Sequence, residues 1–272
     1  MAKYLYRSYI AIGDSLTEGL GDFDFAVSRF GCGWADRLAE LLARSAHEAG
    51  ESFKYANFAL RGSSMFDILT AQLEDAIVLK PDLVTIMAGA NDFMRSKKTH
   101  PQLKALLRGA IVRLRNEGVH VVVANTVNPT HVPLFRPIRH KAKRMSELIN
   151  SVADEYQVPI LDIFEIKEFR HLELWCDDRV HFSGHGHIKI ANRAARLLSL
   201  EHGYEEQSLD EIVGPDRSLR AKIAWVFRDV VPYVVRRIKG VTSGDGLEPK
   251  HDKYIKLVRK SKVKKASGIF SA

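Results

Sequence analysis

The sequence has few cysteines and no long apolar run. Its 272 residues include only Cys32 and Cys176, which do not form a CxxC pair, so a disulfide framework and a zinc ribbon are both disfavoured. No stretch approaches the ~18–20 consecutive apolar residues that span a bilayer. The first residues also lack the charged-then-apolar pattern of a secretory signal. The sequence therefore predicts a cytoplasmic protein.

An excess of positive charge is confined to one end of the chain. The whole chain carries 41 Lys and Arg against 33 Asp and Glu, whereas residues 216–272 alone carry 15 against 5. The first 215 residues are therefore slightly acidic, which argues against a nucleic-acid groove in the main domain and against a specific nucleic-acid partner. The basic end leaves an anionic partner open.

Short apolar runs alternate with longer helical patterns over the first 200 residues. Strands are predicted at 9–12, 53–58, 83–88, 119–126 and 158–164, and helices at 34–49, 65–79, 102–116, 137–156 and 184–200. This alternation is typical of βαβ units in a parallel sheet. We predict an α/β fold, a three-layer α/β/α sandwich around a five-stranded, mainly parallel sheet.

The composition changes after about residue 205. We predict a main domain over 1–205 and a basic C-terminal extension over 206–272. The extension would hold an amphipathic helix at about 216–239, with a kink or break at Pro232, and a mobile tail at about 243–272. The helix could pack on the main domain, lie on an anionic membrane surface, act as a lid or bind a partner helix; we expect packing.

Glycine and polar residues follow three of the predicted strands. In a doubly wound sheet, ligands bind outside the carboxyl ends of the strands. The segments at these ends are Gly13-Asp14-Ser15-Leu16, Leu60-Arg61-Gly62-Ser63 and Gly89-Ala90-Asn91-Asp92. Taken alone, Ser15 is more typical of a helix N-cap, and the Asn91 segment is more typical of a turn.

A fourth segment, Asp178-Arg179-Val180-His181, precedes the last helix of the main domain. A serine, a histidine and a carboxylate are the components of nucleophilic acyl transfer. The spacing suits a tight turn on which Asp178 reaches Nδ1 of His181 while Nε2 faces Ser15.

These four segments resemble, in order, the four sequence blocks of the SGNH hydrolases, also called the GDSL esterase/lipase family. The resemblance covers roughly residues 7–200. It implies a flavodoxin-like fold and a serine hydrolase that cleaves carboxylic esters through an acyl-enzyme. Ser15 would be the nucleophile, His181 the general base and then acid, and Asp178 the residue that orients His181.

The resemblance also implies an oxyanion hole. Its donors would be the backbone N–H groups of Ser15 and Gly62 and the side-chain amide of Asn91, with Asp14 and Gly89 in support. The implied substrate is a small-molecule ester, and no cofactor is implied. The natural ester and the oligomeric state stay open, and the basic extension leaves peripheral contact with an anionic membrane open.

Three alternatives use the same region. His181, His185 and His187 with Asp177 or Asp178 could form a metal site, although no HExxH motif is present. An O-acyltransferase would use the same residues as an esterase. A non-catalytic binding module would require the loss of a catalytic group, and none is missing. We expect His187 to pack in the interior and His185 to face solvent.

Two loops and one basic segment border the predicted site. Residues 19–33 and 126–137 would shape the pocket, and the first is rich in Gly, Phe and Asp, which is consistent with a mobile wall. Residues 131–145 contain six Arg, Lys and His residues after His131. This segment is either an exposed helix face, which we favour, or an attractor for an anionic substrate.

Overall fold

Parallel strands form the centre of the molecule. The computed structural model describes residues 4–22, 32–95, 100–239 and 241–258. Its strands are β1 Ser8–Gly13, β2 Phe53–Asn57, β3 Leu83–Met87, β4 His120–Ala124, β5 Ile160–Leu161 and β6 His251–Leu257. Within the described ranges they form one six-stranded sheet in the order β5-β4-β3-β1-β2-β6. The first five strands pair in parallel, and β6 is antiparallel to β2.

Helices connect the strands and continue beyond the last parallel one. They are α1 Ser15–Glu18, α2 Trp34–Glu48, α3 Met65–Asp67, α4 Leu73–Val78, α5 Asp92–Arg95, α6 His100–Asn116, α7 Arg139–Glu155, α8 Gly184–Leu197, α9 Leu219–Trp225 and α10 Val231–Lys239. The π-helical turns Ile68–Gln72 and Val226–Val230 join α3 to α4 and α9 to α10. No described helix is both long enough and apolar enough to cross a membrane.

Each face of the sheet has its own apolar core. In β1, Tyr9 and Ala11 belong to one core and Ile10 and Ile12 to the other, because successive side chains point to opposite faces of a strand. Side chains from α2 and α8 cover the first face, and side chains from α6 and α7 cover the second. The predicted three-layer α/β/α sandwich with a mainly parallel sheet is therefore confirmed.

The predicted strand at 158–164 is shorter in the structure. Only Ile160–Leu161 pairs with β4. The side-chain oxygen of Asn125 accepts the N–H groups of Ile163 at 2.8 Å and Phe164 at 3.1 Å. These backbone donors bond to a side chain instead of continuing the ladder, so the chain leaves the sheet after Leu161.

The sheet has one strand more than predicted. Residues 251–257, which we assigned to a mobile tail, pair with the free edge of β2, for example Leu257 with Phe53 and Ile255 with Tyr55. Ile255 and Leu257 also pack against a core. The prediction of a mobile tail is wrong for these residues. Their many charged side chains masked the strand pattern, in which alternate residues pack against the protein. Residues 259–272 lie outside the described residues, and the boundary near 205 stays a prediction.

The helix of the extension continues past Pro232. A proline clashes with the carbonyl four residues earlier in a regular helix. Here the π-helical turn Val226–Val230 directly precedes Val231 and Pro232, and such turns change the local hydrogen-bond spacing. Of the predicted kink or break at Pro232, the break does not occur, because the helix continues after a π-helical turn.

Candidate active site

The turn after β1 separates the helix cap from Ser15. Asp14 is the N-cap of α1, and its Oδ1 accepts the N–H of Leu16 at 3.0 Å. Ser15 is the first residue of the helix and half-buried. The capping function that could have explained Ser15 belongs to its neighbour, which leaves the Ser15 hydroxyl for another partner.

That partner is His181. Its Nε2 lies 2.9 Å from the Ser15 Oγ, and its Nδ1 lies 2.5 Å from Oδ2 of Asp178. The other carboxylate oxygen, Oδ1, accepts the backbone N–H groups of Val180 at 2.9 Å and His181 at 3.0 Å. The three side chains thus form one hydrogen-bonded row, in which Ser15 is distant in sequence and Asp178 and His181 lie on the tight turn that their spacing predicts.

The environment of Asp178 keeps its carboxyl group ionised. Burial by itself raises the pKa of Asp178, but the hydrogen bond and charge of His181 and the Cys176 thiol outweigh burial and hold it well below its usual value. An ionised carboxylate accepts the proton of Nδ1, which leaves the lone pair of Nε2 directed at Ser15. The Ser15 hydroxyl can therefore donate its proton to His181.

Asn91 lies beside the turn that carries Ser15. Its Nδ2 donates to Oδ2 of Asp14 at 3.2 Å and to the carbonyl of Ser63 at 3.0 Å. This amide therefore links the ends of β1, β2 and β3. Gly89 precedes it with φ +104°, and a Cβ there would lie 2.9 Å from Cγ of Met145. Both the backbone angle and the close packing explain why glycine occupies this position.

The loop after β2 is held against α1. Glu18 accepts the backbone N–H of Arg61 at 2.8 Å and also pairs with its guanidinium group. Gly62 follows with φ +81°, and a Cβ there would lie 3.0 Å from Cβ of Thr242. The motif in the sequence pointed to Gly62, whereas nothing in the local pattern connects Glu18, Arg61 and Thr242 with it.

The C-terminal extension contacts the loop that carries the predicted acid and base. We call residues 176–181 the Asp178 loop. The indole Nε1 of Trp225 donates to the main-chain carbonyl of Asp178 at 2.7 Å, and Trp225 is buried. The guanidinium group of Arg179 lies 4.9 Å from the centre of the Trp225 ring. A lone tryptophan in a basic amphipathic helix was the available sequence signal for this contact.

The histidine cluster proposed as a metal site is not assembled in the part of the chain that the structure describes. Cys176, Asp178 and His181 are the one described group whose potential ligand atoms converge, within 4.8 Å. Burial and the charge of Asp178 raise the pKa of the Cys176 thiol well above its usual value, so this group offers a protonated thiol. The other two members are already engaged, since His181 contacts both Asp178 and Ser15.

His187 is a buried packing residue, as expected. Its Nδ1 accepts the backbone N–H of Trp34 at 3.1 Å, and its Nε2 donates to the carbonyl of Leu20 at 3.1 Å. Burial lowers the pKa of His187 to about 3, so the ring is neutral at physiological pH. His185 is half-buried, and Asp177 is exposed.

The two loops expected to shape the pocket are described unequally. In the first, residues 23–31 lie outside the described residues, and so does most of the predicted mobile wall. The second contains the 3₁₀ turns Pro129–His131 and Pro133–Ile138. Its His131 ring stacks on Trp175 with 3.7 Å between ring centres.

Comparisons with known proteins give a sequence relative and solved structures with a similar fold. An acetylxylan esterase from Geobacillus stearothermophilus is 25% identical over 212 residues, covering 70% of this chain and 93% of the relative. A solved structure of that organism's acetylxylan esterase superposes with a TM-score of 0.57 at 21% identity, covering 74% of this chain and 97% of the other.

A second solved structure comes from a metagenome. An α/β hydrolase enzyme from Lake Arreo, Spain, superposes with a TM-score of 0.60 at 19% identity, covering 72% of this chain and 97% of that chain. At these identities, the solved structures show a shared fold.

The sequence match is the stronger finding. The model of the GDSL-like lipase/acylhydrolase family matches residues 11–188, which is well over half of the chain. The matched range begins in β1 and includes all four predicted blocks, and it ends before the extension. Through this match the chain belongs to the GDSL-like lipase/acylhydrolase family and is a carboxylic ester hydrolase.

Proposed function

We propose that the chain hydrolyses carboxylic esters through an acyl-enzyme on Ser15. The observation that carries the proposal is the row of contacts from Ser15 Oγ to His181 Nε2 at 2.9 Å and from His181 Nδ1 to Asp178 Oδ2 at 2.5 Å. This row supplies a nucleophile, a base within hydrogen-bond distance and a carboxylate that orients the base.

In the first half of the reaction, Ser15 attacks the ester carbonyl. His181 accepts the hydroxyl proton as the bond from Oγ to the carbonyl carbon forms. The tetrahedral intermediate then collapses, the bond to the alkoxy oxygen breaks, and His181 gives the proton to the departing alcohol. Asp178 stays ionised and stabilises the imidazolium ion.

In the second half, water attacks the acyl group on Ser15. His181 accepts a proton from the water, the bond between the carbonyl carbon and Oγ breaks, and the proton returns to Ser15. The products are one alcohol and one carboxylic acid per ester, and no cofactor enters the balance. The same groups act in both halves, because His181 first accepts a proton as a base and then returns it as an acid in each half.

The oxyanion would be stabilised by donors from three strand ends. We assign them to the backbone N–H groups of Ser15 and Gly62 and to the side-chain amide of Asn91. The two N–H groups of the Asn91 amide donate to Asp14 and Ser63, which holds the amide at the strand ends, and one of them would exchange its acceptor for the oxyanion. Preorganised donors stabilise the charge that develops on the carbonyl oxygen in the transition state.

The relatives named as acetylxylan esterases support acetyl as the acyl group. We therefore expect higher kcat/KM on acetyl esters than on octanoyl esters of the same alcohol. Rates on acetyl, butyryl and octanoyl esters test this directly. A preference for octanoyl would overturn the acyl-group assignment and leave the mechanism intact.

A fluorophosphonate labelling experiment tests the mechanism. The wild type should gain the mass of one adduct in the presence of EDTA, and Ser15→Ala should gain none. Ser45→Ala, which removes a half-buried hydroxyl from α2, is the matched control and should label like the wild type. Absence of an adduct on folded wild type would show that Ser15 is not activated.

A further inference from the structure

The extension helix exposes a row of apolar side chains. They recur every four residues and so follow one side of the helix: Leu219, Ile223, Phe227, Val231 and Val235. We call them the apolar stripe; their exposed fractions range from 42% to 73%. Trp225, buried against the Asp178 loop, anchors the other side of the helix. The helix is thus packed on the protein by one side only.

Beside the start of this helix lie two basic cavities. Their volumes are about 310 Å³ and about 440 Å³, and both are lined by His131 and Arg170. Six cationic side chains line the pair: Arg136, Arg139, Arg170, Arg179, Arg217 and Lys222. Arg217 and Lys222 flank Leu219 in sequence, so the cavities adjoin the start of the apolar stripe.

Most of this positive charge lacks a carboxylate partner. Within the described ranges Arg217 pairs with Glu173, but no ion pair engages Arg170, Arg179 or Lys222. Arg179 is buried; its guanidinium group donates to the carbonyl of Asp216 at 3.0 Å, and its Nε has no hydrogen-bond partner. The charge of Asp216 acts on Arg179, but no described carboxylate forms an ion pair with it, and an anionic ligand in contact with the guanidinium group would stabilise this buried charge.

We propose that the extension docks the protein on an anionic phospholipid surface, with the apolar stripe at the boundary between headgroups and acyl chains and a headgroup phosphate in the basic cavities. A soluble phosphate compound would use only the cavities, and a second copy of the chain would use only the stripe. A bilayer with anionic headgroups uses both features, because it offers apolar depth beside phosphate groups. The proposal does not depend on the ester-hydrolysis mechanism.

Vesicle co-sedimentation tests the apolar stripe. Full-length protein should pellet with vesicles of equal parts phosphatidylcholine and phosphatidylglycerol, and should stay in solution with phosphatidylcholine alone. The double variant Ile223→Ser with Phe227→Ser should bind roughly tenfold more weakly or worse. The matched control is Val78→Ser with Val213→Ser, which removes side chains that are 76% and 97% exposed elsewhere, and it should bind like the wild type.

A second pair of variants tests the cavities. Arg170→Gln with Lys222→Gln should weaken vesicle binding by about tenfold. Lys167→Gln with Arg220→Gln makes the same change in net charge at exposed neighbours that do not line the cavities, and should have a much smaller effect. All four double variants should keep the wild-type circular dichroism spectrum and urea midpoint, which shows that they are folded.

Several outcomes would overturn the proposal. Wild type that stays in solution with both kinds of vesicle contradicts it directly. Equal losses in test and control pairs would indicate a general charge or apolar effect without a site. Binding of inorganic phosphate without vesicle binding would assign the cavities to a soluble ligand. If the wild type is a dimer and the double variant Ile223→Ser with Phe227→Ser is a monomer, the apolar stripe would be assigned to a second copy of the chain.

Discussion

Trp225 donates its indole N–H to the main-chain carbonyl of Asp178 at 2.7 Å. The two residues are far apart in sequence, and Trp225 lies outside the range that the family model matches. The bond connects the C-terminal extension to the residue that orients His181 in the proposed mechanism. The extension is therefore part of the frame that positions the proposed active site.

Trp225→Phe should lower activity without abolishing it. The ring keeps most of its packing, but the hydrogen bond to Asp178 is lost, which costs about 1 kcal/mol, or roughly fivefold in kcat/KM. We expect the loss in kcat, with little change in KM, and a shifted pH profile. Tyr233→Phe, on the same helix, is the control. Lower stability with unchanged kinetics would assign Trp225 a purely structural role.

Asn91→Ala should reduce kcat/KM by roughly 10²–10³-fold, as the loss of one oxyanion donor does. The loss should appear in kcat, because the charge on the carbonyl oxygen develops in the transition state. Steady-state kinetics on a soluble acetyl ester measure it. Asn116→Ala, an exposed asparagine on α6, should have no effect. A rise in KM with unchanged kcat would instead place Asn91 in ground-state binding.

His187→Gln should make the free energy of unfolding depend less on pH in the acidic range. Burial lowers the pKa of His187 to about 3 from an ordinary value of 6.5. Between these values the unfolded chain binds the proton and the folded protein does not. The free energy of unfolding therefore decreases as the pH decreases through this window. The contribution of this group is up to ~1.4 kcal/mol per pH unit.

Glutamine can donate to Leu20 and accept from Trp34 as His187 does, but it does not titrate. Urea unfolding of both proteins at several pH values between 7 and 4 measures the difference. The difference in the free energy of unfolding between wild type and variant should become smaller as the pH decreases. If the free energies of unfolding of both proteins depend on pH in the same way, His187 does not have a lowered pKa in the folded protein.

Lys250→Met should destabilise the protein by about 3 kcal/mol, as the loss of one partner from a buried ion pair does. Its side chain is 2% exposed, and Nζ donates to Oδ2 of Asp36 at 2.7 Å and to the carbonyl of Glu18 at 3.1 Å. This residue directly precedes β6 and holds the extension against α1 and α2. Lys253→Met, at an exposed position of β6, should change the urea midpoint very little. Equal midpoints for the two variants would disprove the anchoring role.

The local sequence pattern was enough to predict the layered fold, and the resemblance of four segments to a known family indicated the residues of the proposed site. The alternation of short apolar runs with amphipathic stretches predicted the five parallel strands and their helices, because burial on both faces of a parallel sheet leaves that pattern. The polar segments after two of the strands placed Ser15 and Asn91 at one edge of the sheet, since the carboxyl ends of parallel strands share that edge, and the resemblance to the SGNH hydrolases implied that His181 lies beside Ser15. Both signals are local in the chain.

The contacts of the extension could not be predicted from the sequence. The charged residues of β6 gave no strand signal, because this strand exists only where the free edge of β2 offers it backbone partners. The contacts of Trp225 with Asp178 and of Lys250 with Asp36 depend on segments that meet only in the folded chain. The assignment of the helix cap to Asp14 rather than Ser15 depended on backbone geometry as well. A local sequence pattern predicts which face of a helix or strand is buried. Which distant residue lies against that face depends on how the elements pack in three dimensions.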